Sequence, residues 1–237
     1  MATPSRLLLA AGVAVLAALV SAACAFACGP DGYSYAGFSA RDPAYGISAQ
    51  ITSLVDLPIL HGHVAGWVGV GGPGEGPGGS DEWLQVGLSG FAQVTGSDAY
   101  YEVARPHQNP VYHQLAGGLP AGKTVTVAVL EIPHRPSWWR VWRGDRPASK
   151  PIWLPESHDR WMPLATAESW DGGTGAACNS FLYDFHHVQI AHAPGGHWRR
   201  LSAAYAIKSL VTRVRRAGAA FLAAEGAGRG LMRGRRP

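Results

Sequence analysis

The sequence predicts an all-β fold, an antiparallel two-sheet β-sandwich or a barrel, on three observations. Glycine (31) and proline (17) make up about a fifth of the 237 residues, without the three-residue period of collagen. Both are poor in helix interiors and frequent in turns. Short segments of alternating apolar and polar residues recur, bounded by Gly, Pro, Asn or Asp. Between Ala40 and His192 no stretch carries the 3.6-residue apolar stripe of an amphipathic helix. A composition of 47% hydrophobic and 15% charged residues excludes a disordered chain.

The first element is an address. Arg6 precedes an uncharged apolar stretch over residues 7–20, and Ala25-Phe26-Ala27 fits a cleavage site with the cut before Cys28. That stretch is shorter than the roughly 20 residues a bilayer span needs. Residues 1–27 therefore read as a signal peptide, and the protein as secreted. Removing them leaves Cys28 and Cys178, an even pair in an oxidising compartment, which predicts a disulfide between them. The alternative is two free thiols.

Strands are expected over residues 47–55, 61–70, 82–91, 99–103, 124–132, 138–142, 151–154, 164–170 and 181–192. The cleanest alternation is Thr124-Val125-Thr126-Val127-Ala128-Val129. Past Gly196 the texture changes. Leu201, Tyr205, Ile207, Leu210, Val211, Val214, Gly218 and Phe221 fall on one helical stripe, with Lys208, Arg213, Arg215 and Arg216 off it. Residues 199–225 are expected to form a basic amphipathic helix, dispensable to the sandwich of residues 28–198, ahead of a flexible end.

Charge divides the same way. Residues 28–198 carry 9 Lys and Arg against 15 Asp and Glu, a balance of −6. Residues 199–237 carry 10 basic groups against Glu225, a balance of +9. An acidic body excludes a uniformly basic nucleic-acid binder. The basic tail suggests contact with an anionic surface, either membrane or cell wall.

Several motifs fall away on spacing. The glycine-rich run at residues 71–79 is interrupted by Pro73 and Pro77 and is followed by a strand, so it reads as a flexible loop and not a phosphate cradle. Ser89 misses the G-x-S-x-G spacing of a nucleophile elbow. Among ten histidines, no H-E-x-x-H occurs. His61 and His63 are expected to share a strand face.

Two polar residues sit mid-strand. Gln85 lies in Trp83-Leu84-Gln85-Val86-Gly87, and Glu168 in Thr166-Ala167-Glu168-Ser169-Trp170. Each also fits the solvated face of a sheet. The runs Trp67-Val68-Gly69-Val70-Gly71, Trp83-Leu84-Gln85-Val86-Gly87, Ala99-Tyr100-Tyr101-Glu102, Gly118-Leu119-Pro120-Ala121-Gly122 and Thr166-Ala167-Glu168 resemble, in order and spacing, the glutamic peptidase (eqolisin) family. Tyr33-Ser34-Tyr35-Ala36-Gly37-Phe38 is similar to that family's opening, so the resemblance spans roughly residues 33–192. Where the family usually has an acidic residue shortly after its glutamine, this chain has Ser89.

The resemblance implies a concanavalin-like jelly roll with catalytic Gln85 and Glu168 in the groove of one sheet. It assigns Trp67, Tyr101 and Glu102 to substrate binding. The implied activity is endopeptidase hydrolysis of a polypeptide by a monomer, at acid pH, with no metal or cofactor. A carboxylate can take a proton from the attacking water and return it to the leaving amine. A side-chain amide can stabilise the oxyanion. The competing reading is a non-catalytic lectin-like module that binds glycan or peptide in the same groove, with tryptophans as stacking platforms. A glycosidase needs a carboxylate pair, which one Glu facing a Gln does not provide.

Overall fold

Period-2 segments that bury one face must find a second layer, and here two sheets supply it for each other. A computed structural model describes residues 28–226 apart from Leu57 and Val211. The expected signal peptide, residues 1–27, and the chain end after residue 226 lie outside the described residues. The strands are β1 (Tyr33–Ala40), β2 (Gly46–Ser53), β3 (His63–Gly72), β4 (Glu82–Phe91), β5 (Ser97–Ala104), β6 (Val111–Leu119), β7 (Thr124–Glu131) and β8 (Trp138–Arg143). They continue as β9 (Arg146–Pro147), β10 (Ile152–Trp153), β11 (Leu164–Trp170), β12 (Phe181–Ala193), β13 (Gly196–Arg200), β14 (Ala204–Lys208), β15 (Thr212–Ala217) and β16 (Ala220–Glu225).

The front sheet runs β14-β1-β11-β3-β4-β5-β6. The back sheet runs β10-β8-β7-β2-β12-β16-β15, with β13 added to β12 and β9 to β8. All pairings are antiparallel. Val68, Leu84, Val86 and Leu88 of the front sheet form one core cluster with Ile47, Ile51, Val127, Val129 and Phe185 of the back sheet. None of these nine side chains is more than 1% exposed. Each contributes roughly 1.5–3 kcal/mol by leaving water.

The C-terminal segment corrects the sequence reading. The described residues of 199–225 form no amphipathic helix: β14 extends the front sheet beside β1, and β16 with β15 extends the back sheet beside β12. The apolar stripe suits either geometry over so short a stretch, and an available sheet edge outweighs local helix propensity. Phe221 is in register with Phe185, their rings stacked at 4.4 Å, and Phe38 of the front sheet meets Phe221 edge-on at 5.1 Å. The Arg216 guanidinium donates to the carbonyls of Leu201 (2.6 Å), Ser202 (3.0 Å) and Gly218 (2.8 Å). The segment is thus part of both sheets, and an anionic-surface contact loses its helical basis.

Cys28 and Cys178 form the expected disulfide, with Cα atoms 4.9 Å apart across 150 residues of sequence. It ties the start of the body to the β11–β12 connection. The glycine-rich loop closes the β3–β4 hairpin. Gly76 N–H donates to the Ser80 carbonyl, and the Trp161 indole donates to the Glu75 carbonyl at 3.2 Å. No helix among the described residues is long and apolar enough to cross a membrane.

Candidate active site

Alternation fixes which side chains of the front sheet face outward, away from the back sheet. Three successive rows of the register matter. The first aligns Tyr35, Glu168, Ala65, Ser89 and Asp98 across β1, β11, β3, β4 and β5. The second aligns Ile207 of β14 with Gly37, Thr166, Trp67, Gly87 and Tyr100. The third aligns Leu164, Gly69, Gln85, Glu102 and Tyr112. Trp67 therefore stands on the middle row of the central strand. Glu168 is its diagonal neighbour on one side, and Gln85 its diagonal neighbour on the other.

These side chains line a single groove of about 680 Å³. Asp31, Tyr33, Tyr35, His63, Trp83, Phe91 and Ile207 also line it. The four acidic residues of the lining are Asp31, Asp81, Glu102 and Glu168; no Lys or Arg is among its residues. No group of three or more His, Cys, Asp or Glu side chains among the described residues is disposed to hold a metal ion.

Glu168 is 6% exposed, and its Oε1 lies 3.3 Å from Nε2 of His63. Gln85 is 8% exposed and its Nε2 donates to the Tyr100 hydroxyl at 3.0 Å. Tyr100 stacks on Tyr112 at 5.0 Å, and the Tyr112 hydroxyl shares a 2.8 Å hydrogen bond with Ser89. The Trp83 indole donates to Glu102 Oε1 at 3.1 Å. The Trp67 indole N–H is buried without a partner among the described residues.

Burial pushes the Tyr33 hydroxyl up to about 12, reinforced by the charges of Glu168 and Glu102. Burial does the same for Tyr112, also to about 12, against a hydrogen bond from Ser89. Tyr35 and Tyr100 are raised further by burial and by Glu168. The groove thus presents neutral hydroxyls. Burial raises Glu102 and the neighbouring Glu168 adds to it, while the Trp83 hydrogen bond and His63 oppose.

Of the residues expected from sequence, Gln85, Glu168, Trp67 and Glu102 share this groove. Tyr101 does not, which is a correction. It pairs with Val86, points to the inner face, and stacks on His113 at 4.3 Å. The strand period of 2 cannot send Tyr101 and Glu102 to one face; Tyr100 is the groove residue. His61 also departs from expectation, because β3 begins only at His63. Sequence reasoning missed His63, Tyr100 and Ile207 as groove residues. For His63 the signal was available: it shares parity with Ala65 and Trp67. For Ile207 none was, since its place depends on β14 pairing with β1.

No protein-family model and no curated protein sequence matches the chain. Solved structures do. Scytalido-glutamic peptidase with a peptide-based transition-state analogue is similar at a TM-score of 0.58 and 16% identity, over 83% of this chain and 99% of that one. The same peptidase with a transition-state analogue inhibitor gives 0.55 and 16%, over 81% and 98%. SCP-B, a member of the eqolisin family of peptidases in complex with the tripeptide Ala-Ile-His, gives 0.53 and 16%, over 83% and 99%. The two-sheet sandwich of this chain is therefore the fold of solved glutamic peptidases.

Proposed function

We propose that the groove is the active site of a secreted glutamic-type endopeptidase acting on polypeptides as a monomer. The observation that carries this reading is the placement of Gln85 and Glu168 on opposite diagonals of Trp67, in one open groove. The shared fold supports it, since the related structures hold peptide-based analogues and a tripeptide. The Cys28–Cys178 disulfide supports an oxidising, exported setting.

In this reading the Glu168 carboxylate takes a proton from water as the water oxygen attacks the scissile carbonyl carbon. The carbonyl oxygen becomes an oxyanion and accepts a hydrogen bond from Gln85 Nε2. One such donor is worth roughly 2.7–4 kcal/mol in the transition state. The proton held by Glu168 then passes to the leaving amine nitrogen as the C–N bond breaks. One N–H of the Gln85 amide is engaged by Tyr100, which orients the other toward substrate. Both chemical roles use side chains of this chain alone.

The test is digestion of an unfolded protein across acid pH by wild type and by Glu168→Gln. We expect the variant to lose at least about a hundredfold in turnover with its melting temperature retained. Equal cleavage by both proteins would overturn the assignment of Glu168. Absence of cleavage by wild type would favour a groove that binds peptide or glycan without catalysis.

A further inference from the structure

We infer that His63 is a positioning residue for Glu168, holding its carboxylate through the contact between Nε2 and Oε1. This rests on the peptidase reading of the groove and adds a residue to it. Glu168 is in register with Ala65, not with His63, which pairs with Trp170. The methyl side chain of Ala65, only 1% exposed, is short enough for its longer neighbours to close over it. The carboxylate can therefore lean along the strand to its diagonal neighbour, within the reach of a long side chain.

The imidazole is itself held. Its row of the register is Tyr33, Trp170, His63 and Phe91. Ring centroids lie 6.3 Å from Tyr33, 5.5 Å from Trp170 and 6.0 Å from Phe91. The backbone entering β3 is pinned as well. Asn179 donates to the His61 carbonyl at 2.6 Å and accepts from the Leu60 N–H at 2.8 Å. Gly62 turns at φ +58°, where a Cβ would run into the Trp170 carbonyl oxygen. Three rings and a fixed turn leave the imidazole little freedom to swing from Glu168.

The chemistry of the contact assigns the hydrogen. An ionised carboxylate only accepts, so a base-competent Glu168 requires Nε2–H on His63. That bond occupies Oε1, while Oε2 accepts no hydrogen bond among the described residues, which suits it to water. The other titratable groups around Glu168 are Tyr33 and Tyr35 on β1, Glu102 and Tyr100 on β5, Tyr183 on β12, and Asp31. None can be a cation, so His63 is the one lining side chain among the described residues able to carry positive charge beside Glu168.

Two substitutions and one spectrum test this. His63→Phe keeps a ring among the three aromatic neighbours but removes the donor; His63→Gln restores an N–H of similar reach. We expect His63→Phe to lower kcat by about ten- to a hundredfold, the scale of a displaced catalytic group, with KM held within about twofold. His63→Gln should recover part of the loss. An unchanged kcat in His63→Phe would overturn the inference. So would parallel losses in kcat, KM and melting temperature with no recovery in His63→Gln, because that pattern is structural. Imidazole ¹⁵N shifts provide a readout free of activity: wild type should show the Nε2–H tautomer, and Glu168→Gln should remove that bias. An inactive wild type that still shows this dependence would sink the peptidase reading and leave the contact standing. The same tautomer in both proteins would sink the positioning role.

Discussion

Gln85 Nε2 donates a 3.0 Å hydrogen bond to the hydroxyl of Tyr100, although in register Gln85 faces Glu102 and Tyr100 faces Gly87. The bond is diagonal, and Gly87 leaves the room for it. Tyr100 is 2% exposed and backed by the stacked Tyr112 ring, so it fixes the plane of the Gln85 amide. In the proposed peptidase, an amide so fixed would meet the developing oxyanion without reorganising, which is where such donors have their value.

Gln85→Ala should therefore lower kcat by at least about a hundredfold. Tyr100→Phe, which keeps the ring and removes only the hydroxyl, should lower it by a smaller factor with KM little changed. Steady-state kinetics on one peptide substrate checks both. A Tyr100→Phe enzyme equal to wild type would show that the amide needs no such anchor.

The C-terminal strands should be indispensable. Phe221 is 4% exposed and bridges Phe185 and Phe38 across the two sheets. Phe221→Ala should destabilise the protein by about 3–5 kcal/mol, the usual cost of a large cavity in a core. Truncation after His197 should leave a chain that does not fold, and Ile207 would be lost from the groove wall with it. Denaturant melts of the substitution and circular dichroism of the truncation measure this. A folded, active truncation would return the segment to the status of an appendage.

Stability should fall as pH rises toward neutrality. Glu82, with both carboxyl oxygens buried and unpartnered among the described residues, is pushed up from 4.5 to about 7. Burial is the main cause; Glu156 adds to it, while Arg105 and Arg160 oppose. Glu225 is likewise pushed up to about 7 by burial, against the hydrogen bond donated by Ser34. Between about pH 4.5 and 7 the folded protein holds more protons than the unfolded chain. The stability present below that window is lost across it, by at most about 1.4 kcal/mol per pH unit for each group. Melting temperatures from pH 4 to 8 should decline, and Glu82→Gln should flatten the decline. A melting temperature that rises over this range would refute the assignment.

Strand existence was legible wherever a segment alternated on its own. β4 and β11 carry the bounds read from alternation, and these two strands hold Gln85 and Glu168. Parity within one strand also places Trp67 with Ala65, and Gln85 with Trp83. The same rule, applied to Tyr100, Tyr101 and Glu102, already separates Tyr101 from Glu102. Local pattern failed where two periods fit equally well, as in residues 199–225. There the free edges of β1 and β12 chose the strand.

What the sequence determined by itself was therefore short-range: turn chemistry, alternation, the cysteine pair and the two mid-strand polar residues. All of these are properties of neighbours within a few residues, or of counting. Only the tertiary structure decided what meets what across strands. Glu168 reaches His63 because β11 and β3 pair in a register that puts Ala65, and not a larger side chain, opposite the carboxylate. Trp67 comes to lie between Gln85 and Glu168 because β3 is threaded between β4 and β11. Register is set by which faces can be buried together, a sum over both sheets that no single segment carries.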